Sequence, residues 1–202
     1  MPHGTRILSL ACFVFAIVAA SSSALLAQVA VSPTPPPQVD GPSLEDTLVF
    51  VQEKLNDIGS VTVSVAAQIS TSRYDFNYSV INTVSNATAD SGGCRVSYHS
   101  KIETQADANR ATEFEGDASF NLRDVKNVAV KPFWQFRNEK YVADGSPQTV
   151  VHSTHPDVAM LVVSRPHGET NAFPFTDFDL AERMVRAINH AVGLCGGKKD
   201  PF

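Results

Sequence analysis

No G-x-S-x-G elbow, no G-x-x-x-x-G-K-[ST] loop and no G-x-G-x-x-G turn occurs anywhere in the 202 residues. The first absence removes the strained turn that presents a serine nucleophile, and the other two remove the backbone cradles that hold nucleotide phosphates. Positive charge is in short supply: 16 Lys and Arg stand against 21 Asp and Glu, a formal charge of -5. That balance argues against nucleic acid or an anionic membrane surface as a partner. No internal repeat is visible, which sets aside solenoids and propellers. Cysteine occurs three times, as Cys12, Cys94 and Cys195, and tryptophan once, as Trp134.

What is present begins with a targeting pattern. MPHGTR ends in Arg6, Ile7 to Ala20 is an uncharged apolar run, and small residues follow in SSSA. These are the three regions of a secretory signal, assigned to residues 1–27, and they predict a secreted or periplasmic protein. The rival is an uncleaved anchor, since Ile7 to Val31 is long enough to span a bilayer, which needs roughly 20 mostly apolar residues. Membrane attachment is expected only in that case. Residues 28–42, including Pro33 and Pro35 to Pro37, read as a semi-rigid polyproline tether. Residues 43–202 are of a size that suits one domain with a single core.

That domain opens with a helix. Ser43 and Asp46 form a capping-box-like S-x-x-D, Leu44, Leu48, Val51, Leu55 and Ile58 share one face, and Gly59 supplies the stop. From Val61 to about Val163 the pattern changes to alternation with β-branched enrichment, in VTVSVAAQIS, RYDFNYSVI, CRVSYHSKI, ATEFEGDASFNL, KNVAVKPFWQF and DVAMLVVS. Short turn-rich intervals between these runs point to antiparallel neighbours. The closing stretch FTDFDLAERMVRAINHAVGLCGG predicts an amphipathic helix capped by Thr176 and Asp179 and stopped by Gly196 and Gly197. Its wheel turns Cys195 inward with Ile188 and Val192, and places His190 about 140° away. The expected fold is α+β: one curled antiparallel sheet of about six or seven strands, with an N-terminal helix and a C-terminal amphipathic helix packed on it.

The pattern PSLEDTLVFVQEKL, a mid-chain FNLRDV strand and the closing FTDFDLAERMVRAINHAVGLCGG resemble uncharacterised secreted bacterial proteins that share a helix, antiparallel β-sheet, helix layout. The likeness covers most of residues 43–197 and implies no activity. The order of strands followed by one amphipathic helix is also similar to pleckstrin-homology-like barrels, a likeness of fold alone. The lipid-binding members' basic cluster is missing, because QISTSRYDF offers Arg73 alone, so no specific lipid headgroup is implied.

Four groups of residues invite a chemical reading. With Cys12 lost alongside the signal, Cys94 and Cys195 remain in an oxidising compartment, which favours a disulfide; two buried free cysteines are the alternative. His152, His155 and His167, in HSTHPD and PHGE, supply enough donors for zinc or copper, and would make the chain a small metal-dependent hydrolase if a loop gathered them. Against this, alternation puts His152 and His155 on opposite faces of an extended segment. Glu113, Glu115 and Asp117 recur at period two, which would put three carboxylates on one strand face. Phe133, Trp134, Phe136 and Tyr141 form an aromatic run beside Arg137 and Lys140, suited to the core, to an apolar ligand groove or to a partner surface. The reading that fits these features together is a non-enzymatic, exported binding or scaffolding module of the cell envelope. Its partner would be a protein or a small apolar ligand, with no cofactor and no nucleic acid.

Overall fold

The computed structural model describes residues 41–107 and 109–197; the signal segment 1–27 and the 28–42 tether up to residue 40 lie outside the described residues. In chain order the elements are α1 (Leu44–Asp57), β1 (Gly59–Ile69), β2 (Tyr74–Asp90), β3 (Arg95–Ala106), β4 (Asn109–Asn121), β5 (Asn127–Pro132), α2 (Phe133–Ala143), β6 (Thr149–His155), β7 (Ala159–Ser164), β8 (Thr170–Phe175) and α3 (Phe178–Leu194). The fold is α+β with antiparallel sheets. Its eight strands divide into a five-stranded sheet, ordered β4-β3-β2-β1-β6, and a three-stranded sheet, ordered β5-β7-β8. The expectation of one curled sheet with six or seven strands is corrected to two sheets, and they do not close into a barrel.

Two local features account for most of that difference. KNVAVKPFWQF does not stay extended past Pro132: Phe133 begins a helix, with its amide bonded to Val158 O at 2.8 Å. The β-prone aromatics Phe133, Phe136 and Tyr141 stand with Arg137 at a spacing that gathers these four side chains on one helical face. TNAFPF, in turn, is strand β8 despite Pro174. Proline cannot donate to a ladder, and it is tolerated here because β8 is an edge strand, hydrogen-bonded to β7 alone.

β7 explains the layering. From Ala159 to Val163 every residue is buried, as expected of a strand covered on both faces. Ala159, Leu161 and Val163 join α1, α3 and the β3–β4 end of the large sheet in one apolar cluster. Met160 and Val162 join Val63, Val65, Val80 and Phe133 in a second. β7 therefore packs against both clusters, with α3 lying on the small sheet and α1 directly on β2 of the large sheet.

The helices sit as their sequences dictate, with adjustments at the caps. Ser43 accepts from the Asp46 amide at 3.1 Å and its hydroxyl donates to the Asp46 carboxylate at 2.6 Å. α1 is fixed to a bulge in β2, where Asn56 bonds both backbone groups of Ala87 and Gln52 accepts from Ala89 N. α3 is capped by Asp177, which accepts from Leu180 N at 3.1 Å, rather than by Thr176 and Asp179. His190 bonds Pro42 O at 2.9 Å and ties the chain's entry onto α3. Among the described residues no helix is long and apolar enough to cross a membrane.

Candidate functional site

Cys94, at the start of β3, and Cys195, at the C-cap of α3, bring their sulfurs to a bonding distance of 2.10 Å across 101 residues of sequence. Both are buried. Arg123 Nε donates to Cys195 O at 3.2 Å, and Gly197 N bonds Val192 O, so the helix end is held from three directions. The pair joins α3 to the large sheet.

The histidine site is corrected. Among the described residues no group of three His, Cys, Asp or Glu is close enough to hold a metal ion. His152 and His155 lie on β6 in the large sheet, on either side of Ser153, and His152 is the unpaired residue of a bulge opposite β1. His167 sits in the 3₁₀ turn between β7 and β8 of the small sheet, with φ of 62°. The three side chains are exposed, and the turn that holds His167 belongs to the other sheet from His152 and His155.

The acidic strand also divides. Asp117 pairs with His99 at 2.8 Å and Glu115 with Lys101 at 3.2 Å, each across the β3–β4 register on the solvent face. A bulge opposite Ile102 and Glu103 leaves Glu113 out of that register and turns it to the other face. There it bonds Thr104 and approaches Arg137 at 3.4 Å.

Arg137 is the centre of the arrangement that remains. Its residue is 7 % exposed, and its guanidinium lies over the rings of Tyr78 and Tyr141 at 5.7 and 5.3 Å. The two tyrosine hydroxyls bond each other at 2.6 Å. Burial by itself would lower the arginine pKa; the oxygens of Tyr78 and the Glu113 carboxylate reverse this and hold it above its ordinary value. Burial pushes the Tyr78 phenol well above its usual range, with Arg137 opposing in part. For Glu113 burial acts upward, but the Thr104 hydrogen bond and Arg137 together bring it below the ordinary carboxylate value.

This cluster borders a cavity of about 330 Å³ where the two sheets part. β2 and β3 supply Val80, Asn82, Tyr98 and Ile102, α2 supplies Phe133, Phe136, Arg137 and Lys140, and Met160 and residues 170–172 close the far side. The volume falls at the low end of the roughly 300–1,000 Å³ typical of small-molecule sites. Asn82, Arg137 and Asn171 are each more than nine-tenths buried, and among the described residues Asn82 Nδ2, Arg137 Nε and Asn171 Oδ1 find no hydrogen-bond partner. Asn171 spends its amide nitrogen on Tyr98 Oη at 2.5 Å.

The aromatic run is thus distributed rather than presented as one surface. Phe133 and Phe136 line the cavity, Tyr141 supports Arg137, and Trp134, 46 % exposed, looks away toward a smaller depression shared with Phe178. Asn82, Arg137 and Asn171 were not marked by sequence. The available signal was weak: a polar residue at an inward position of alternating strand in SVINTV, and another in ETNAF. Comparison with protein-family models, curated proteins and solved structures finds no match to the chain.

Proposed function

We propose that the chain is an exported, non-enzymatic binding module of the cell envelope, and that its ligand is a small molecule with an apolar body and a polar end, held between the two sheets. The observation that carries this is the set of three buried polar side chains on one cavity wall, each with an unpartnered atom. An unsatisfied buried polar group costs about 1–3 kcal/mol, so three around one cavity are a burden to the fold unless something binds them. The Cys94–Cys195 pair supports export, because such bonds persist in oxidising compartments. The amino-terminal apolar run supports the same placement.

The test uses a neutral apolar fluorophore, N-phenyl-1-naphthylamine, titrated into the protein and into Ser100→Phe, which projects a ring into the cavity from β3. Saturable one-to-one binding that the substitution abolishes is expected. Equal binding by both proteins, or none by either, would overturn the cavity as a ligand site.

A further inference from the structure

The polar groups on the wall are of different kinds and stand at different ends, and this constrains the ligand further; the constraint rests on the binding function above. Glu113, Arg137 and Lys140 are the charged residues on the wall, two cations against one carboxylate. Lys140 also meets Asp144, an exposed contact at 3.0 Å facing solvent. Arg137 has no such outlet. Its only carboxylate partner among the described residues, Glu113, is at 3.4–3.5 Å, longer than the roughly 2.7–2.9 Å of a full charge-assisted bond, so the guanidinium retains capacity for a second anion.

Asn82 stands opposite Ile102 in the β2–β3 register, on the Arg137 side of the cavity. Its Nδ2 is a second donor there, and the broad terminal torsion of asparagine lets the amide swing toward a ligand. Asn171 belongs to the other end, bonded to Tyr98, whose backbone lies four residues and roughly 13 Å along β3 from that of Ile102. Its free atom is an acceptor, Oδ1, which calls for a donor. Between the two ends the wall is apolar, with Val80, Phe133, Phe136 and Met160.

We infer that the ligand is a slender monocarboxylic acid with a hydroxyl at the end remote from its carboxylate. The carboxylate accepts from Arg137 and Asn82, the apolar middle lies against Phe133 and Met160, and the hydroxyl donates to Asn171 Oδ1.

Three probes of one shape separate the contributions in calorimetric titration of the full chain with the disulfide intact: 3-(4-hydroxyphenyl)propionate, its amide, and 3-phenylpropionate. The hydroxy acid is expected to bind tightest, the amide about tenfold or more weaker for loss of the charge-assisted bonds, and the dehydroxylated acid roughly fivefold weaker. Asn82→Leu, which keeps the volume and removes the donor, is expected to weaken the two acids about tenfold while leaving the amide within roughly twofold. Arg137→Lys serves as a second variant with its charge kept, and a normal unfolding transition establishes that it is folded. Equal affinity for acid and amide would overturn the carboxylate assignment and leave the cavity as a neutral-ligand site. Equal affinity for the hydroxylated and dehydroxylated acids would overturn the assignment at Asn171. No binding of any probe, with the fluorophore still bound, would overturn the whole ligand class but not the site.

Discussion

Replacing Asn82 by leucine should make the unliganded protein more stable. The residue is 7 % exposed, its Nδ2 has no partner among the described residues, and it shares the cavity wall with Val80, Ile102 and Phe136. A buried amide donor left unpaired costs about 1–3 kcal/mol, and leucine, of similar volume, removes that cost and adds apolar contact. Part of the amide borders the cavity, so the net gain is set at about 1–2 kcal/mol. For a domain of this length each kcal/mol moves the midpoint by roughly 2–4 °C, giving a rise of roughly 2–8 °C. Urea unfolding followed by tryptophan fluorescence, supported by calorimetry, measures it. Asn171→Leu is the control: it also removes an unpaired atom, but it breaks the 2.5 Å bond to buried Tyr98, so its gain should vanish or reverse. A loss of 1 kcal/mol or more in Asn82→Leu would refute the reasoning, since it would mean that the amide is already satisfied in the absence of ligand.

Three further outcomes are expected. Replacing Cys94 and Cys195 together by alanine opens a loop of 101 residues and should cost up to about 4–5 kcal/mol in the chain-entropy account, a fall of roughly 10–20 °C read by calorimetry; an unchanged midpoint would show that the bond is absent in solution. Tyr78 and Tyr98 have phenol pKa values above the ordinary 10.0, chiefly through burial, so the folded state holds their protons more tightly than the unfolded chain does. Stability from these groups is complete below pH 10 and is lost as pH rises through their folded values, and absorbance titration should show Tyr78 and Tyr98 ionising late. Glu113 has the opposite sign: its lowered value gives stability present above pH 4.5 and lost as pH falls through the folded value. Glu113→Gln should remove about 1–2 kcal/mol at neutral pH, because Arg137 loses its carboxylate, and should flatten the acid limb of the unfolding curve.

Much of the architecture was legible from local pattern. α1 and α3 stood out because apolar residues at steps of three and four, bounded by capping side chains and glycines, fit only a helix with one buried face. The cysteine pair was legible because two cysteines after a signal-like segment, one on an inward helical face, have few other fates. α2 was misread as strand because Phe, Trp and Tyr favour strands when nothing else decides. Here the deciding interaction is tertiary: Phe133 N reaches Val158 O, and Asn138 accepts from Val151 N at 2.7 Å. The division into two sheets was hidden because pairing partners are non-local, β5 with β7 and β1 with β6.

The same distinction separates the site from the scaffold. Sequence alone determined where burial must occur, since hydrophobic periodicity records which face of an element leaves water. It also marked the aromatic run from which Phe133 and Phe136 reach the cavity. It did not determine which polar residues would be carried inside, because an asparagine in a strand looks the same whether it faces water or a cavity. Only the tertiary structure decided that: the β4 bulge turned Glu113 toward Arg137, α2 delivered Arg137 between two tyrosines, and the parting of the sheets left Asn82 and Asn171 lining one cavity. The physical reason is that apolar burial is a sum over many interchangeable residues. A polar site depends on a few atoms whose positions follow from contacts far apart in the chain.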